Sequence, residues 1–164
     1  MVSVVKYFTT SKVPVTYSKY VTQITLAYET YGELNSAKNN ALLAIYGFSG
    51  SSHVAAHSAN DTPGWWEWAV GPGKPLDTNK YFIVCANNLG GCFGSTGSPD
   101  ISSPSIADIV FCQQKLQEEL EIDRWHADPL AAWWFLSGWQ PIRRRFNRLY
   151  VSMQVLHYHL LDKA

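Results

Sequence analysis

Three consecutive pieces between Tyr46 and Gly97 decide the fold. They are Y-G-F-S-G-S-S-H (residues 46–53), P-G-W-W-E-W-A-V-G-P-G-K-P-L-D-T (63–78) and Y-F-I-V-C-A-N-N-L-G-G-C-F-G-S-T-G (81–97). The first is a loop leaving a buried strand. The second is an excursion dense in Trp and Gly. The third is another buried strand followed by a Gly-rich exit loop. Loops at the ends of hydrophobic strands are where α/β enzymes place their chemistry.

Working outward, A-L-L-A-I-Y (41–46) is a short continuous apolar run, as expected of a parallel strand buried on both faces. Y-F-I-V-C-A (81–86) is a second such run. The residues between the two leave room for a crossover or a long functional loop. Upstream, T-Q-I-T-L-A-Y-E-T-Y (22–31) alternates as a half-buried strand does, with Ile24, Leu26 and Tyr28 on one face. Residues 1–19 are rich in Val, Thr and Tyr and are broken by Pro14, so short edge strands are expected there. Downstream, Ser105 is placed to cap a helix running to about Glu121, with Asp108 completing a capping box. Ile106, Ile109, Val110, Leu116 and Leu120 form its apolar stripe, diluted by Gln113 and Gln117. Strand, loop, strand, loop and helix give an α/β layer architecture.

The chain has 164 residues, of which 46% are hydrophobic and 16% charged, enough for one domain with a sizeable core. Its 13 basic and 13 acidic residues balance, so neither nucleic acid nor an anionic membrane is an expected partner. No apolar run reaches membrane-spanning length, and the N-terminus lacks the basic start and apolar stretch of a secretory leader. Cys85, Cys92 and Cys112 lack metal-type spacing; Cys85 and Cys112 are expected to be buried free thiols, and a reducing cytoplasm is the expected compartment. No metal site is expected.

Several motifs now fall into a recognisable order. These are L-A-Y-E-T-Y-G-E-L-N (26–35), G-S-S-H (50–53), P-G-W-W (63–66), V-G-P-G-K-P-L-D-T (70–78), N-L-G-G-C-F-G-S-T-G (88–97), and I-A-D-I-V with Gln113. In this order they resemble the homoserine O-acetyltransferase family of the α/β-hydrolase fold. The resemblance implies the N-terminal part of such a fold, an incomplete sheet with a flanking helix. It also implies an activity: acyl transfer from acetyl-CoA, or succinyl-CoA in close relatives, to the homoserine hydroxyl in methionine biosynthesis. No cofactor is expected to be bound, with acetyl-CoA acting as acyl donor, and intact relatives are expected to form homodimers. The chemistry would be ping-pong, through a Ser nucleophile on a strained elbow, a His base and an Asp that orients it. The family's H-A-L-T-G loop is Y-G-F-S-G here, and the resemblance places Phe48 where a backbone N–H serves the oxyanion hole. Tyr46 replaces the family's His at the start of that loop.

The catalytic residues themselves have no counterpart. No G-x-S-x-G occurs in the sequence. Ser137 is the nearest serine to the expected elbow, but Leu136 and Gly138 do not make that turn. His53 and His57 are expected to serve the surface or the loop rather than catalysis. Ser51 or Ser52 with His53 would form a rearranged site, for which no carboxylate is apparent. The Gly90–Gly97 loop lacks the Lys-Ser/Thr ending of a phosphate loop, and Trp65, Trp66 and Trp68 are expected to be packing aromatics.

The composition changes near residue 124. Residues 1–124 hold 8 basic and 11 acidic side chains, and 125–164 hold 5 and 2, with Trp125, Trp133, Trp134 and Trp139 clustered there. Two units are therefore expected: 1–124 as hydrolase-like domain, and 125–164 as a tail foreign to the fold. A frameshift near Arg124 would account for this. Read one base forward, Trp133-Trp134-Phe135 becomes Gly-Gly-(Ser or Phe), close to the missing elbow. The expected product is an inactive homologue; the alternatives are a noncatalytic interaction protein, or an acyltransferase or hydrolase with a rearranged site.

Overall fold

The computed structural model describes residues 4–13, 21–46, 50–97 and 104–125. Phe48, Ser137 and the rest of the expected tail, 126–164, lie outside the described residues.

A four-stranded mixed sheet organises these segments. Its strands are β1 (Lys6–Val13), β2 (Val21–Tyr31), β3 (Ala41–Ala44) and β6 (Phe82–Ala86), in the order β1-β2-β6-β3. β1 pairs antiparallel with β2, with Thr9 opposite Thr25. β2 pairs antiparallel with β6, and β3 runs parallel to β6 with Ala41 opposite Phe82. The expected edge strand is thus β1, at one end of the sheet. Between β3 and β6 the chain makes a long excursion, pinned by a two-residue parallel pair, β4 (Val70–Gly71) and β5 (Leu76–Asp77). Strands this short leave no periodic trace in a sequence.

Both faces of the sheet are covered, by different things. On one face Ile24, Leu26, Tyr28, Phe82, Val84 and Ala86 pack with Cys112 and Leu116 of helix α1 (Ile106–Glu119). On the other, Tyr31, Leu42, Ala44, Ile83 and Cys85 pack with Val54, Ala55 and Val70 of the excursion. β2 is therefore not the half-buried strand its alternation predicts. Ala27, Glu29 and Tyr31, on the face expected to meet solvent, are all buried. The loop folding over that face is the physical reason, and it puts a carboxylate in the interior.

Helix α1 starts as predicted. The Ser105 hydroxyl accepts the Asp108 N–H, and the Asp108 carboxylate accepts the Ser105 backbone N–H at 2.7 Å. Gln113, read as a dilution of the apolar stripe, is buried with Val110 and Leu116. Ser105→Ala removes the cap acceptor and should cost about 1 kcal/mol, read as a lower urea midpoint at unchanged slope.

Gly32 ends β2 at φ 76, where a Cβ would meet the Tyr81 carbonyl oxygen at 2.2 Å. Glycine alone allows the chain to turn there with the loop before β6 against it. Among the described residues no helix is long and apolar enough to cross a membrane.

Candidate functional site

The excursion's first turn, residues 50–57, lies over the end of β2 and brings Ser52, His53 and His57 onto one buried carboxylate, which Tyr31 of β2 also reaches. Glu29 is 3% exposed and lies opposite Cys85 of the neighbouring strand β6. Its Oε1 accepts the Ser52 hydroxyl at 2.9 Å. Its Oε2 accepts the Tyr31 hydroxyl at 2.9 Å and lies 3.0 Å from His53 Nδ1 and 2.8 Å from His57 Nε2. A buried carboxylate is tolerated only when its oxygens are paired in this way.

Each partner is itself held. Tyr31 OH accepts the Val54 N–H at 2.9 Å and the Ala55 N–H at 3.3 Å, so the phenol ties the loop backbone to the carboxylate. The His57 ring stacks on Tyr31 with centroids 4.4 Å apart and planes 11° from parallel. His53 Nε2 donates to the Thr62 carbonyl at 2.7 Å. Ser52 is bracketed by Asn87, whose Oδ1 accepts the Ser52 N–H at 2.6 Å and whose Nδ2 donates to Ser52 Oγ at 3.0 Å. Asn87 also donates to the Phe93 carbonyl at 2.7 Å, linking this turn to the Gly-rich loop after β6.

The electrostatics follow from these contacts. Burial alone would raise the Glu29 pKa, but the hydrogen bonds from His53, His57, Ser52 and Tyr31 outweigh it and hold it below the ordinary value. Burial works against a charged His53, yet its bonds to the Thr62 carbonyl and to Glu29 outweigh that and raise it. Both His53 ring nitrogens face acceptors, which is the arrangement an imidazolium satisfies. Burial pushes the Tyr31 phenol and the Cys85 thiol up, so both stay protonated.

A pH profile follows, with its sign fixed by these directions. The depressed Glu29 contributes stability above about pH 4.3 that is lost as pH falls through its folded pKa; the raised His53 contributes below about pH 6.5 and loses it as pH rises. The melting temperature in metal-free buffer should therefore peak between those limits. His53→Gln should flatten the alkaline limb.

The rest of the excursion frames this cluster. Glu67 accepts the Ala56 N–H at 2.7 Å and the Gly64 N–H at 3.2 Å, and pairs with Lys74 at 3.1 Å. Those backbone bonds first, and Lys74 second, draw its pKa down to about 2. Trp66 packs into the core, and Trp65 stacks on it while its indole N–H donates to the Ser51 carbonyl at 2.8 Å. Trp68 meets Trp66 edge-on and is 55% exposed, so it is less a core aromatic than expected.

Two readings of the sequence change here. A carboxylate partner for Ser52 and His53, not apparent in the sequence, exists in Glu29. It does not make a catalytic triad. Ser52 Oγ donates to Glu29 and accepts from Asn87, among the described residues no imidazole is placed to take its proton, and it is 2% exposed. Ser51 Oγ accepts the His53 backbone N–H at 3.3 Å and, among the described residues, is likewise not paired with a ring. His53 and His57 hold the loop, as expected, but through a buried charge rather than at the surface. Tyr46, in place of the family's His, is buried; its OH accepts the Asn88 N–H at 2.6 Å, and burial, against that bond, pushes its pKa up to about 12. Cys85, Cys92 and Cys112 are free, the first and last buried.

No protein-family model matches the chain. The chain is 46% identical to a homoserine O-acetyltransferase from Methanobrevibacter ruminantium, over 71% of this chain and 26% of the relative. It is 48% identical to a homoserine O-succinyltransferase from Hydrogenovibrio crunogenus, over 62% of this chain and 30% of the relative. Among solved structures, homoserine O-acetyltransferase from Bacillus anthracis superposes with a TM-score of 0.65 at 30% identity, over 84% of this chain and 43% of that one. The chain thus spans between a quarter and a third of the length of these curated relatives. It is a homologue of the homoserine O-acetyltransferase family, with the incomplete sheet and flanking helix of an α/β-hydrolase fold.

Proposed function

We propose that these residues come from an acyltransferase that moves an acetyl or succinyl group from coenzyme A to the hydroxyl of homoserine, and that the 164 residues alone do not turn over. The identity of 46% and 48% to a homoserine O-acetyltransferase and a homoserine O-succinyltransferase carries the first half. The lack of any G-x-S-x-G carries the second, together with a Ser52 committed to a buried carboxylate. In this reading Phe48 donates its backbone N–H to the oxyanion. The Glu29 cluster fixes residues 52–57 and has no part in proton transfer. The intact enzyme works in the cytoplasm, as a dimer, on small molecules.

The missing nucleophile is proposed to lie in another reading frame downstream of Arg124, with residues 125–164 foreign to the domain. Sequencing the locus tests this: an intact frame shared by transcripts would overturn it. Release of free CoA from acetyl-CoA, followed with and without homoserine, tests the inactivity. The expected result is no release above the protein-free rate. Release that depends on homoserine would overturn it and point to Ser51, Ser52 or Ser137 as the nucleophile.

A further inference from the structure

We propose that Glu29, His53 and His57 form a binding site for a divalent transition-metal ion of the zinc type. The three residues place one ligand atom each within 4.8 Å of the others. His53 Nδ1 and His57 Nε2 both point at the same oxygen, Glu29 Oε2, at 3.0 and 2.8 Å. A tetrahedral zinc sits about 2.0–2.2 Å from such ligands, which puts ligand atoms roughly 3.4 Å apart. The two nitrogen–oxygen distances, 3.0 and 2.8 Å, have to widen by only about half an ångström to reach that spacing. Two imidazoles and one carboxylate, with a fourth position for water, is a donor set that suits zinc and its neighbours.

Three further observations favour an ion over a purely hydrogen-bonded cluster. The first is the outer partner of His53. Its second ring nitrogen donates to the Thr62 carbonyl at 2.7 Å, the support that a metal-ligating histidine ordinarily has. The second is preorganisation: His57 is fixed by stacking on Tyr31, and Glu29 Oε1 is held by Ser52, so the facing atoms need no rotamer change. The third is crowding. Without a metal, Oε2 serves Tyr31 OH and two ring nitrogens at once, and a cation in their midst satisfies all three ligand atoms. The His53 and His57 side chains are 24% and 16% exposed, which leaves an entry path to a carboxylate that is itself buried.

The test uses the full 164-residue chain, stripped with chelator and titrated with Zn²⁺ by calorimetry and with Co²⁺ by absorption. One ion per chain is expected, with a zinc-dependent rise in melting temperature. The Co²⁺ spectrum should show tetrahedral d–d bands without thiolate charge transfer, and Cys92→Ser should change nothing. His53→Gln and His57→Gln keep an N–H toward Glu29, so they retain the apo fold by circular dichroism while losing the binding step. If either variant misfolds, NMR of the unmutated chain decides, because zinc must shift the His53 and His57 ring resonances first. Unaltered binding in both Gln variants, shifts confined to other histidines, thiolate bands, or no binding would each overturn the site.

Discussion

Glu29→Ala should destabilise the chain by about 3–5 kcal/mol, the cost of breaking a buried, charge-assisted cluster from one side. The substitution strands four donors at once: the hydroxyls of Ser52 and Tyr31, and the ring nitrogens of His53 and His57. Ser52 and Tyr31 are buried, so water cannot take the place of the lost acceptor without opening the loop. Tyr31 also carries the Val54 and Ala55 N–H groups, and the loss propagates to the backbone of residues 54–55. Glu29→Gln keeps one carbonyl oxygen and the shape, and should cost roughly 1–3 kcal/mol. Urea unfolding of both variants checks this. A loss under about 1 kcal/mol for the alanine variant would mean that the carboxylate does not hold the loop.

Gly64→Ala should be nearly as severe, about 3 kcal/mol, at the upper end of what overpacking costs. A Cβ at this position would lie 2.1 Å from the Val54 carbonyl carbon and 2.2 Å from the Ala55 nitrogen. These are backbone atoms, so no rotamer change relieves the overlap. The two strands of loop must separate, and the bond from Trp66 N–H to the Val54 carbonyl, 2.8 Å, goes with them. Because Val54 adjoins His53, the same separation pulls that histidine off Glu29. The unfolding midpoint should fall, and amide exchange of Val54 and Ala55 should accelerate. Unchanged exchange at both positions would contradict the tight approach.

Much of the sheet was legible. Continuous apolar runs marked β3 and β6, and a capping box marked the start of α1, because burial on both faces and an unsatisfied helix end each leave a local trace. The Glu29 cluster was not legible from alternation alone. A strand with Ile24, Leu26 and Tyr28 on one face looks half-buried when Glu29 sits on the other. The signal was there in its neighbours, since Ala27 and Tyr31 share that face and leave Glu29 the one charged residue among them. A charge on such a face requires partners, and S-S-H followed by His57 supplied them from a distant loop. Register across the excursion, which brings residue 52 to residue 29, cannot be read from local pattern.

These residues share the α/β-hydrolase fold of a homoserine O-acetyltransferase structure, and the proposal is that they hold no nucleophile of their own. Intact-mass spectrometry of the purified chain after incubation with acetyl-CoA, without homoserine, tests it most directly. The prediction is an unmodified chain at every time point, since Ser52 is committed to Glu29 and no elbow serine exists in the sequence. A chain carrying one acetyl group on a serine, discharged on adding homoserine, would contradict it.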